Sequence, residues 1–137
     1  MKFKIAFFLM IFSLFSVNAQ ALNHDLFTGV LQSYVTEGMV DYKGMCGDMR
    51  LAQYIDQISQ ADPEKITDNK ARLAFWLNAY NAWTLKIICD HYPLKSINEL
   101  HSGGLAVGMI LKTTVWDKKI VTINNQKTSL SRIEHKI

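Results

Sequence analysis

Several things are scarce in this chain of 137 residues: it has two cysteines, two prolines and no strong excess of charge. Two cysteines cannot build a disulfide framework or a four-cysteine zinc site. A net charge of +3 with a pI of about 8.9 falls short of a dedicated nucleic-acid binder, whose domain pI usually lies above about 9. There is no G-x-S-x-G, P-loop or dinucleotide fingerprint, so no cofactor is expected. His24, His91 and His101 share no metal-ligand spacing such as H-E-x-x-H, so no metal is expected either. No repeat, linker or low-complexity tract interrupts an otherwise ordinary globular composition.

What is present begins with an address. Lys2 and Lys4 precede an apolar run from Ile5 to Val17, and Ala19-Gln20-Ala21 follows as an A-x-A cleavage site. That tripartite order reads as a secretory signal peptide over residues 1–21, cleaved after Ala21 or after Ala19. The run is too short for a membrane span, which needs roughly 20 residues. No stable membrane span is therefore expected once the leader is gone, and the protein is expected in the periplasm or secreted. Residues 22–137 then form one domain with 13 basic and 12 acidic residues, a net +1. In an oxidising compartment Cys46 and Cys89 have the chance to pair, although spacing alone does not bring them together.

Residues 24–36 carry apolar side chains at helical spacing and predict an amphipathic helix, broken at Gly38 and followed by an extended stretch from Met39 to Tyr42. A loop containing Gly44 and Gly47 is expected next, then a second helix over about 48–60 that Asp62-Pro63 ends. Residues 68–91 hold no Gly or Pro and predict the longest helix, with Leu73, Trp76, Leu77, Tyr80, Trp83 and Ile87 on one face and further apolar residues on others. A helix apolar nearly all round is expected in the middle of a domain. Tyr92-Pro93 stops it, and Ser96-Ile97-Asn98-Glu99 matches a capping box. Residues 105–111 are apolar and at most a strand candidate. Residues 119–123 read as a strand, Asn124-Asn125 as a turn and 126–128 as a strand stub. Ser129 or Ser131 then caps a final short helix, with Ser131 and Glu134 at capping-box spacing. The expected class is α+β: a helical layer around a buried central helix, with a small, incomplete antiparallel sheet or hairpin.

The run Ala74-Phe75-Trp76-Leu77-Asn78-Ala79-Tyr80-Asn81-Ala82, followed by Tyr92-Pro93 and Ser96-Ile97, resembles the signature of the domain of unknown function 547 family. Upstream, Tyr34-Val35 and Gly38-Met39-Val40-Asp41-Tyr42 are similar to that family's Y-V…G-x-V-D-Y motif. Downstream, Ser129-Leu130-Ser131-Arg132-Ile133-Glu134-His135 is similar to its S-L-x-x-I-E-H helix start. Members continue past that helix into an Arg-x-His pair and a cysteine-containing stretch, so the resemblance implies that residues 22–137 are a truncated part of the domain. It further implies, for the complete domain, a hydrolase- or transferase-like enzyme related to papain-like and transglutaminase-like folds, inactive as a fragment. The alternative is a non-catalytic binding or interaction domain.

Asn78 and Asn81, three apart on an apolar helix, are the leading polar candidates. Buried carboxamides need partners, so they either tie the helix to a neighbouring loop or line a cleft and orient a reacting group. His135 is the candidate general base, beside Glu134, against the plainer reading of a capping or packed histidine. Cys89 reads as a small buried hydrophobe and Cys46 as a loop thiol suited to exchange or pairing. Lys118-Lys119 reads as a solvated pair.

Overall fold

The computed structural model describes residues 22–101 and 114–137. The strand candidate at 105–111 and the leader at 1–21 lie outside the described residues. The first helix, α1 (Asp25–Tyr34), buries Phe27 and Val30. It gives way to a hairpin of β1 (Val35–Thr36) and β2 (Met39–Val40), antiparallel with Val35 opposite Val40. The two turn residues both adopt positive φ, 51° at Glu37 and 79° at Gly38, the backbone that a two-residue hairpin with right-handed twist requires.

A short helix, α2 (Tyr42–Met45), occupies the place where a loop was expected. Asp41 makes the difference: its carboxylate accepts from Gly44 N–H at 3.1 Å and satisfies a donor of the first turn. Gly44 is needed there because a Cβ would stand 2.7 Å from both Tyr34 Cε1 and Asp41 Oδ2. The next helix, α3 (Met49–Gln60), turns Leu51, Tyr54, Ile55 and Ile58 inward as one stripe. Tyr54 is fully buried and stacked on Phe27 with ring centroids 5.0 Å apart. Its hydroxyl meets His24 Nδ1 at 2.6 Å, which pegs α3 to the start of α1. Burial pushes the Tyr54 phenol above its ordinary range and His24 below its own, which favours the neutral form of each.

Asp48 starts α3. It accepts from the Arg50 backbone at 2.8 Å and receives the Arg50 guanidinium through Nε at 3.1 Å and Nη2 at 2.6 Å. The same guanidinium reaches Ser33 Oγ on α1 at 3.1 Å. The bonds from the Arg50 side chain, then its backbone N–H, hold the Asp48 carboxyl down at about 2.

Asp62 caps a single 3₁₀ turn (Pro63–Lys65), and Asp68 caps the central helix α4 (Asn69–Asp90) by accepting from Ala71 N–H at 2.7 Å. α4 ends at His91, whose Nδ1 donates to Ile87 O at 2.8 Å, ahead of a cis Tyr92–Pro93 bond. The buried side of α4 is Phe75, Trp76, Ala79, Ala82 and Ile87. This corrects the expected face: Leu73 and Leu77 are 42% and 41% exposed. The helix is central in the chain, yet one side of it faces outward among the described residues.

The Ser96 signal is realised on a 3₁₀ turn (Ile97–Leu100), with Ser96 Oγ accepting from Asn98 N–H and Glu99 reaching back to Lys95 N–H rather than to Ser96. A second hairpin, β3 (Val121–Ile123) and β4 (Gln126–Thr128), is closed by Asn124 and Asn125 at φ 50° and 57°, the turn that the paired asparagines predict. It leans on α3, where Asn125 N–H donates to Ser59 O at 2.7 Å. The strands form two separate two-stranded sheets among the described residues, so the extended stretch near Met39 pairs locally. Helix α5 (Leu130–Glu134) is capped by Ser129. Ser131 makes no capping box; its hydroxyl donates to Asp117 instead. The class is α+β, as expected.

Cys46, at the end of α2, and Cys89, in the last turn of α4, are joined in a disulfide across 43 residues of chain. Closing a loop of that length removes about 4 kcal/mol of denatured-state entropy in the chain-entropy account. The double variant Cys46→Ser/Cys89→Ser is expected to lose on that order, read as a lowered urea midpoint. Asp48 supplies an acid-sensitive increment. Its folded carboxyl lies below the usual 3.8, so its contribution is complete above pH 3.8 and disappears as pH falls towards 2. Melting temperature followed across that window should fall less steeply in Asp48→Asn than in the native chain.

Candidate functional site

The exposed side of α4 carries the leading candidates. Residues three apart on an α-helix are rotated by about 60° from one another. Asn78 is accordingly half-buried at the edge of the helix's outer face, and Asn81 is exposed near its middle, beside Leu77. Neither carboxamide has a hydrogen-bond partner among the described residues. Among the described residues the packed side of the helix centres on Ala79 and turns both asparagines away from it. Thr84, further along, returns its hydroxyl to Tyr80 O at 2.7 Å.

His135 caps the end of α5 and is exposed, as is Glu134. It shares no hydrogen bond with Asn78 or Asn81. Glu134 is the more connected of the two. It stands close enough to Tyr80 for its charge to add to burial, the larger cause, in raising the Tyr80 phenol. The Tyr80 ring stacks on Trp116 with centroids 6.5 Å apart and planes 9° from parallel, which joins α4 to the stretch before β3.

A polar cluster that sequence spacing did not reveal lies next to that stack. His101 is 5% exposed. Its Nδ1 accepts from Val115 N–H at 3.1 Å, so the ring proton sits on Nε2 and is donated to Asn98 Oδ1 at 3.2 Å. Lys118 is not a solvated lysine, since its ammonium donates to Leu100 O at 3.0 Å. These bonds fasten the chain at 100–101 to the chain at 115–118. Asp117 accepts from Thr114 Oγ1 at 2.5 Å and from Ser131 Oγ at 3.1 Å, and Ser131 N–H donates to Trp116 O at 2.9 Å.

Serine, histidine and aspartate therefore sit near one another, but their bonds do not run in the order of a Ser-His-Asp triad. A nucleophilic serine gives its proton to an imidazole that a carboxylate orients. Here Ser131 donates to the carboxylate directly, and both nitrogens of His101 are already engaged. The arrangement fixes α5 and the 114–118 stretch in place. The sequence signal that came closest was the Ser131 spacing, read as a cap. No group of three or more His, Cys, Asp or Glu able to hold a metal occurs among the described residues, and none of their helices is long and apolar enough to cross a membrane.

Because their amides have no partner among the described residues, Asn78→Ala and Asn81→Ala are each expected to change stability by less than about 0.5 kcal/mol. A buried, bonded carboxamide would instead cost about 1–3 kcal/mol, so urea titration of the two variants separates the cases.

The comparison with protein families falls on this region. The model of the family described as "Protein of unknown function, DUF547" matches residues 63–137. That stretch contains the Phe75-Trp76 helix, the Tyr92-Pro93 stop and the Ser129–His135 segment, whereas the Tyr34–Tyr42 motif lies ahead of it. No curated protein and no solved structure matches the chain. The match spans more than half of the sequence, and the chain belongs to the DUF547 family.

Proposed function

We propose that this chain is an exported member of its family, carried to the periplasm or beyond by residues 1–21, and that it acts there by binding rather than by catalysis. The observation that carries the reading is the Cys46–Cys89 disulfide. Such bonds form and persist in oxidising compartments, where the charged, apolar and A-x-A parts of the leader would deliver the protein. The same bond occupies both thiols of the chain, so neither serves as a nucleophile while it holds.

We prefer binding to the hydrolase- or transferase-like reading because the candidate residues do not converge. A covalent mechanism needs a nucleophile, a base and an orienting group within hydrogen-bond reach of one another. Asn78 and Asn81 lie on the outer side of α4, His135 stands exposed beyond α5, and His101 and Ser131 are committed to structural bonds.

Expression of the whole chain in a Gram-negative host tests this. The expected product is periplasmic, begins at Leu22 or Gln20 by N-terminal sequencing, and has no alkylatable thiol. An uncleaved cytoplasmic product with free thiols would overturn export. A ligand that raises the melting temperature of the purified chain is expected back chemically unchanged, and its conversion to product would overturn the binding reading.

A further inference from the structure

The β3–β4 hairpin, α5 and the Trp76 turn of α4 enclose a cleft of about 230 Å³. Its apolar lining is Trp76, Ile123 and Ile133, all buried residues. Its polar lining includes the three cations Lys127, Arg132 and Lys136 and no acidic side chain. The ion pairs among the described residues are Arg50–Asp48, Lys65–Asp62 and Lys86–Asp90, so the charges of the cleft are not neutralised by any of them.

Arg132 lies in the last turn of α5 and Lys136 just beyond its end, and both line the cleft. Lys127 adds a third positive charge from the facing hairpin. Three like charges over low-dielectric walls focus a positive potential into the cleft and draw in an anion. Gln126 and Thr128, also lining it, can add an amide N–H and a hydroxyl as neutral donors. A single carboxylate would be satisfied by one guanidinium fork. Three cations with two further donors match an oxyanion of about two charges and three strong acceptor oxygens. The indole and the two isoleucines offer a surface for an apolar group joined to it. The volume is below the roughly 300–1,000 Å³ of ordinary ligand pockets, which limits that group to about one ring.

We propose that this cleft is a binding site for a small phosphate monoester carried on a flat apolar group. The proposal rests on the binding reading above, since the ester is held there and not cleaved. Trp76 packs against the apolar part, Arg132 and the two lysines take the phosphate oxygens, and Lys127 closes the hairpin side.

Phenyl phosphate, inorganic phosphate and phenol, titrated against the oxidised mature chain by ¹⁵N NMR, test the site. The indole signal of Trp76 is assigned with Trp76→Phe among the three tryptophans. Phenyl phosphate is expected to shift that signal and to bind at least tenfold tighter than either other probe. Arg132→Glu and Lys136→Glu change exposed side chains without ion pairs, so both should keep the native spectrum and lose affinity at least tenfold. Equal affinity for phenyl phosphate and inorganic phosphate, an unmoved Trp76 signal, or full affinity in Arg132→Glu would each overturn the site. Export of the chain would be untouched by any of those results. Release of phenol during the titration would keep the site and overturn the non-catalytic reading instead.

Discussion

The inward stripe of α3 is the constraint on which the other elements depend. Leu51, Tyr54, Ile55 and Ile58 meet α1 on one side and α4 on another, and the second hairpin rests on the same helix. Burial of a side chain of this size is worth about 1.5–3 kcal/mol, far more than any of the surface ion pairs. Tyr54 shows how closely this stripe is specified. Its ring lies flat on Phe27 while its hydroxyl, which burial would otherwise strand, is taken up by His24. The family match begins after α3 has ended. Seven residues of the common core, from Phe27 to Ile58, thus lie outside the stretch that identifies the family. The matched stretch packs against partners that its own motifs do not contain.

The polar residues divide by whether the fold uses them. Asp41, Asp48, Asp62 and Asp68 each begin a helical segment by accepting a backbone N–H. His101, Asp117, Lys118 and Ser131 bind across chain separations of 14 to 18 residues and hold the second half of the molecule together. Among the described residues, the side chains of Asn78, Asn81, Lys127, Arg132 and Lys136 do neither. A buried polar group that stabilises a fold has its bonds satisfied inside it. Groups left over on a face or around a cleft are those available for something outside the chain. The family signature supplies both kinds, since Trp76 is a buried wall and Asn78 is a half-buried, unpartnered amide on the same helix.

Much of the local structure was legible in the sequence because it is set by neighbouring residues. Helical periodicity located α1, α3 and α4 to within about two residues, and Pro63 and Pro93 marked the stops. The asparagine pair announced its turn. What was not legible depends on partners distant in the chain. The central helix has two overlapping apolar stripes, and the one rich in large residues was the natural choice for the core. Packing chose the side with Ala79 and Ala82, where small side chains let other elements approach closely, and left Leu73 and Leu77 outside. That rotation changed the setting of both candidate asparagines. Asp117 carried no signal either, because Ser131, 14 residues further on, comes within its reach only after folding. Lys118-Lys119 looked like one solvated pair, yet a carbonyl 18 residues away took one of the two.

The disulfide has a consequence for damage as well as for folding. It closes a ring that contains all of α3 and most of α4, and the exposed stretch around Glu64, Lys65 and Thr67 lies inside that ring. A protease that cut there would open the ring without releasing either piece. The α1–α3 half and the family helix would remain covalently one molecule, heavier by one water. The chain would survive a nick at this exposed inner turn with its two halves still held side by side.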